Sequence, residues 1–244
     1  MGNINWKEYE KRVRKWVNCN GGNDKGETFF RDGIICPELW NEKENIKILF
    51  ILKEMHDNGL GKKTDRSWLD IRDINDMRDI YEETTWRKVS TLAYGINCAI
   101  KKKSKVGYQL FSKPNGNYEK SLHYENIRKI AIINMKKLGG DSSTNGKKSQ
   151  KTIDWSKHGE IFVEELKKQI ENISPKIIVC CGPDVFTIFN SFLSEENKSK
   201  IDSYYDEVTK RIIINGFHPK ASKSIEDYYV KPINNCIRLW NENK

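Results

Sequence analysis

The chain has 244 residues, 32% charged and 37% hydrophobic, with 43 Lys and Arg against 34 Asp and Glu for a formal net charge of +9. Seven Trp and a mean hydropathy of -0.75 describe a polar chain that is still too apolar to stay unfolded. The positive surplus, with an isoelectric point near 9.1, suits a partner built of phosphates or anionic lipid, although a solvated lysine face gives the same excess.

No stretch approaches the roughly 18 consecutive apolar residues of a membrane-spanning helix, so no membrane partner is expected. Met1 to Lys7 lacks the basic start and apolar core of a signal peptide, and Trp6 stands where a myristoylation signal needs Ser or Thr. A cytoplasmic protein is expected. Cys19, Cys36, Cys98, Cys180, Cys181 and Cys236 show neither the paired spacing of a zinc site nor an iron-sulfur run. They read as reduced residues, with a dispersed four-cysteine cluster as the alternative. Neither metal nor cofactor is expected.

In chain order, Trp6, Tyr9, Val13, Trp16 and Val17 recur at helical spacing and predict an amphipathic helix, ended by the Asn- and Gly-rich stretch 18–25. From Asp32 to Trp40 a glycine turn and Pro37 break any longer helix ahead of the first strand, residues 46–52. A crossover of two helices follows, the first carrying Trp68, Ile71, Ile74, Met77, Ile80 and Tyr81, the second Trp86, Val89, Leu92, Ala93 and Ile96. A basic loop at 101–105, a turn at 114–117 and a short helix through Leu122 and Ile127 lead to strand two, 130–133.

Residues 139–152 form a Gly-, Ser-, Asn- and Lys-rich loop, read as a lid, a backbone-contacting arm or a disordered insertion. Helix 160–172 precedes strand three, 176–181, and Gly182-Pro183 turns it into a helix carrying Val185, Phe186, Ile188, Phe189 and Leu193. Strand four, 211–214, runs to His218, and a terminal helix carries Tyr229, Ile233, Ile237 and Trp240. This alternation predicts one domain, 1–244, built as a three-layer α/β/α sandwich around a mainly parallel four-stranded sheet.

Each strand stops at a polar or glycine cluster: residues 53–57, 134–137, 182–184 and 216–219. Parallel strands place all four clusters at one sheet end, where open α/β folds bind ligands. Glu54 there can orient water or stabilise positive charge; a helix cap, or a salt bridge with Lys53 or Arg87, is the alternative. Pro219 fixes the chain beside His218, whose imidazole can donate a hydrogen bond or proton near neutral pH. The Asn134 amide offers a donor and an acceptor, suited to the edge of a planar base or, equally, to turn backbone. Gly182 allows close approach of a ring or phosphate, or simply a tight turn.

The phosphate-loop-like runs 59–64 and 145–149 lack the full glycine spacing, no Gly-x-Gly-x-x-Gly follows strand one, and no nucleophile elbow is present. The order acidic residue, Asn, Gly, His-Pro, carried by Glu54, Asn134, Gly182 and His218-Pro219, resembles the uracil-DNA glycosylase superfamily over roughly residues 30–225. Three departures are that Leu52-Lys53 precedes Glu54 where the family usually has glycine, that Met55-His56-Asp57 follows it where proline is usual, and that Lys220 follows His-Pro where serine is common, with Ser222 coming later.

The resemblance implies a hydrolase that breaks the N-glycosidic bond of a damaged, deaminated or modified base flipped from DNA, without a metal. Glu54 and His218 would be catalytic, with Lys53, Asp57, Asn134, Gly182, Pro219, Lys220 and Ser222 contacting substrate. DNA, single- or double-stranded, is the expected partner, with base excision repair or defence against foreign DNA as the setting and a monomer favoured. Two alternatives are a non-catalytic nucleic-acid or nucleotide-binding module of the same fold and an enzyme acting on a free nucleoside.

Overall fold

The computed structural model describes residues 5–19, 29–56, 68–70, 84–107, 120–140, 155–193, 200, 202–219 and 221–243. Eight strands are present among them: β1 Phe29–Arg31, β2 Gly33–Ile34, β3 Ile48–His56, β4 Trp68–Asp70, β5 Ala131–Gly140, β6 Ile177–Cys181, β7 Tyr204–Asp206 and β8 Arg211–Gly216. The helices are α1 Trp6–Cys19, α2 Pro37–Trp40, α3 Thr84–Lys102, α4 Lys120–Arg128, α5 Trp155–Ile173, α6 Pro183–Leu193 and α7 Lys231–Glu242, the last entered through a π-helical turn at Glu226–Val230.

The chain is mixed α/β. Six strands form the main sheet in the order β2-β5-β3-β6-β8-β7, and β1 joins the far part of β5 and carries β4. Its centre, β5-β3-β6-β8, is entirely parallel, whereas β2 and β7 run antiparallel at either side. Those four are the strands that the apolar runs predict. The four-strand expectation falls short because short peripheral strands such as Tyr204–Asp206 carry too few residues to show an alternation.

Alternation along the central strands splits the core in two. Ile48, Phe50 and Leu52 of β3, with Val179 and Cys181 of β6, pack with α3 and α7. Leu49 and Ile51, with Ile178 and Cys180, pack with α5 and α6 on the opposite face. A strand buried on both faces has no polar side, which is why these segments read as continuous apolar runs. Each fully buried Ile, Leu or Phe contributes about 1.5–3 kcal/mol, so the ten or so such positions in β3, β6 and β8 anchor the sheet.

Other expectations meet the structure unevenly. Helices α1, α3, α4, α6 and α7 lie where the apolar spacing puts them, and α5 starts five residues before the expected 160. Pro37 starts the short helix α2 rather than breaking one, since its missing N–H is no loss in a first turn. Trp68 belongs to strand β4, paired with Phe29, and not to the first crossover helix. The rest of that helix, the turn at 114–117, both phosphate-loop-like runs and the loop from 141 onward lie outside the described residues.

Candidate functional site

The carboxyl ends of β3, β5, β6 and β8 share one end of the sheet, as parallel pairing requires. After β3 the chain passes by way of β4 to α3 on one face, and after β6 it enters α6 on the other. The crossovers therefore diverge between β3 and β6, and such a switch point opens a crevice beyond the strand ends.

On the β6 and β8 side the strands end abruptly. Gly182 has φ +127°, a conformation that L side chains rarely adopt, and its N–H donates to the Gly216 carbonyl at 2.9 Å. Its own carbonyl accepts from Phe186 N at 2.9 Å and opens α6. A methyl placed on Gly182 would lie 3.8 Å from His218 Cβ, so the glycine and the imidazole-bearing residue are immediate neighbours. Gly216 is tighter, because a Cβ there would come within 3.2 Å of the Cys180 carbonyl and of Val179 Cγ1.

The turn carrying His218 is tied down from both sides. Ala221 N donates to the His218 carbonyl at 2.8 Å, and Lys88 Nζ, reaching from α3, donates to the Ala221 carbonyl at 3.1 Å. The same ammonium sits 4.9 Å from the Tyr228 ring centroid, and Pro219 is buried beneath the turn. His218 itself is partly buried, and Ser222 is exposed.

On the β3 and β5 side the expected stops are not stops. Lys53 to His56 continue β3, and Asn134 to Lys137 continue β5, with Leu52 opposite Asn134 and Glu54 opposite Lys136. Glu54 and Asn134 thus occupy adjacent strands two pairs apart, and Lys53 is partly buried. The expectation that Asn134 ends its strand is corrected. It lies in the fourth position of a ten-residue strand and is fully buried. Asp57 and Lys220 lie outside the described residues.

Strand β5 pairs in register with β3 as far as Glu54 and Lys136, the register shifts between Glu54 and His56, and the polar stretch holds a buried ion pair. Asp32, between β1 and β2, is 2% exposed and Lys137 is 1% exposed, with Nζ 2.6 and 2.7 Å from the two carboxylate oxygens. The same carboxylate accepts the Asn134 backbone N–H at 2.7 Å, Asn134 Nδ2 at 3.4 Å and Gln169 Nε2 at 3.3 Å. Trp6 and Tyr9 of α1 flank the cluster, with Lys137 Nζ 6.0 Å from the Trp6 ring.

Burial pushes the Asp32 carboxyl above the usual carboxylate range against the pull of Lys137 and the Asn134 donors. It pushes the Lys137 ammonium down against the pull of Asp32. Neither charge is tenable there alone, so the two act as one neutral unit. Nothing in sequence joins residues 105 positions apart. The available hint is a lysine two residues past Met135, on the face that buries Ile133 and Met135.

His123 pairs with Ser90 across α3 and α4 at 2.6 Å, and burial, helped by Arg87, pushes its pKa down to about 4. Ser90 Oγ donates to the Arg87 carbonyl, so the pair pins two helices rather than arming a nucleophile. Among the described residues no three or more His, Cys, Asp or Glu gather as a metal site, and no helix is long and apolar enough to cross a membrane. No family model matches the chain, and no curated protein matches it.

Proposed function

We propose that the chain is a DNA glycosylase-like hydrolase that releases a damaged, deaminated or modified base flipped into the crevice at the β3/β6 switch point, acting on DNA in the cytoplasm. The observation that carries this reading is the adjacency of Gly182 and His218, where a Cβ on the glycine would lie 3.8 Å from His218 Cβ, at the sheet end to which β3 and β5 also run. The two cores, one on each face of the sheet, support a three-layer α/β/α arrangement.

Breaking the base–sugar bond leaves an oxocarbenium-like sugar and sends the bonding electrons to the base. Negative charge is needed at the first and donors at the second. In this reading Glu54 orients water toward the sugar carbon and offsets its positive charge. His218 donates to the departing base, and Asn134 reads its edge. Strand β8 lies two strands from β3, about 10 Å away, which accommodates one planar ring between the two groups. Flipping the base costs about a few kcal/mol, offset by basic surface on the phosphates.

The test incubates the protein with oligonucleotides carrying single modified bases and assays abasic sites by alkaline cleavage. Release is expected for at least one base, and Glu54→Gln or His218→Ala should slow it by about 100-fold or more while sparing binding. Salt-sensitive binding without release across the panel would leave a non-catalytic nucleic-acid module instead.

A further inference from the structure

We infer that Lys88 is a positioning residue for His218: its ammonium, reaching from α3, fixes the turn that sets the imidazole-bearing residue beside Gly182. This deepens the glycosylase reading and rests on it for the reaction that His218 serves.

His218 lies in the segment 217–224 that joins β8 to the π-helical turn, and the described residues of that segment form neither helix nor strand. Its shape therefore rests on what its backbone binds. Ala221 N donates back to the His218 carbonyl at 2.8 Å and closes a turn, and the Ala221 carbonyl accepts from Lys88 Nζ at 3.1 Å. Lys88 thus grips the residue whose amide closes the turn on His218.

The same ammonium stands 4.9 Å from the Tyr228 ring centroid, and Tyr228 is 3% exposed, with its N–H donating to the Ser224 carbonyl at 2.9 Å. Tyr229, its ring 4.7 Å from that of Tyr228, hydrogen-bonds Thr91, one turn of α3 beyond Lys88. Among the described residues the partners of the ammonium are a carbonyl and an aromatic face, neither of which neutralises it. A charged donor to a carbonyl is stronger than a neutral one, so a single side chain suffices as a strut.

The strut joins the two sides of the candidate site. Helix α3 follows the crossover from β3, the strand of Glu54, whereas the turn follows β8 and carries His218. Without Lys88 the turn is free to shift relative to Glu54, and a displacement of about 1 Å at a reacting group can cost about 100-fold in rate.

The experiment uses the full chain and the modified-base oligonucleotide that it cleaves. Lys88→Met should lower the single-turnover rate by about 10- to 100-fold and leave the oligonucleotide Kd within about twofold. Lys88→Arg should return the rate to within about fivefold, since a guanidinium donates to the same carbonyl and stacks on the same ring. With His218→Ala already in place, Lys88→Met should add less than about twofold, because both act through one group.

A readout independent of ligand is hydrogen exchange at the Ala221 amide, which should run at least about tenfold faster in Lys88→Met, recover in Lys88→Arg, and leave the β6 amides unchanged. That pattern supports the inference even if no base is ever released, an outcome that sinks only the glycosylase reading. Unchanged exchange at Ala221 overturns the inference, and so does faster exchange throughout β6, which would make Lys88 a general packing residue. A rate loss carried in full into the His218→Ala chain overturns it as well. So does a weaker Kd with a shallower salt dependence, which would make Lys88 a phosphate contact.

Discussion

The two halves of the sheet end in opposite ways. Strands β6 and β8 stop at Gly182 and Gly216, tied to each other by a backbone hydrogen bond and packed too closely for a side chain at Gly216. Strands β3 and β5 run on to His56 and Gly140 through a polar stretch that contains a buried ion pair and a register shift past Glu54. Glycine ends a strand through local backbone geometry, whereas the buried Lys137 sits within one because a distant partner, Asp32, neutralises it. The candidate site lies where the two endings meet.

The strongest way to break the comparison is to unpair the ion pair. Lys137→Met leaves the Asp32 carboxylate buried and uncompensated, and should cost about 3–5 kcal/mol in urea denaturation. Asp32→Asn with Lys137→Met should restore much of that, because a neutral amide can share the Asn134 and Gln169 contacts. A double variant as unstable as the single one would mean that the network stabilises by its geometry and not by charge balance.

The glycine side should respond less. Gly182→Ala meets an ordinary 3.8 Å contact with His218 but forces Ala to φ +127°, for an expected loss of about 1–3 kcal/mol read as a lower Tm. An unchanged Tm would mean that the turn relaxes to a negative φ.

Smallest and furthest from both endings is the His123 pin. Its folded pKa of about 4 lies below the ordinary value of 6.5, so its contribution is complete above that value and is lost as pH falls toward 4. His123→Asn should flatten the decline in Tm between about pH 6.5 and 4.5. An identical decline in the variant would assign the acid sensitivity to other groups.

The central strands were legible because burial on both faces leaves an uninterrupted apolar run, and the ends of β6 and β8 because Gly182-Pro183 and Gly216 are local signals. The true extent of β3 and β5 was not, since Lys53, Glu54, Lys136 and Lys137 read as a loop until Asp32 is seen to neutralise Lys137. Strand β4 was hidden for a related reason: Trp68 fits a helical spacing, and only its pairing with Phe29 makes it extended. For the candidate site, the sequence puts Gly182 and His218 at one end of the sheet, and only the pairing of β6 with β8 makes them neighbours. Asp32, Gln169 and Lys88 were missed because each acts through a contact that spans more than 100 positions of chain.

Three of the six cysteines, Cys180, Cys181 and Cys236, are sealed in the two cores, and burial pushes each thiol up, Cys236 to about 12. Alkylating reagents attack the thiolate, so these sulfurs should stay inert while the sheet is closed and become labelled only when it opens. The molecule thereby carries its own clock for global unfolding, one that needs no added dye and that separates opening of the core from fraying near the exposed Cys19.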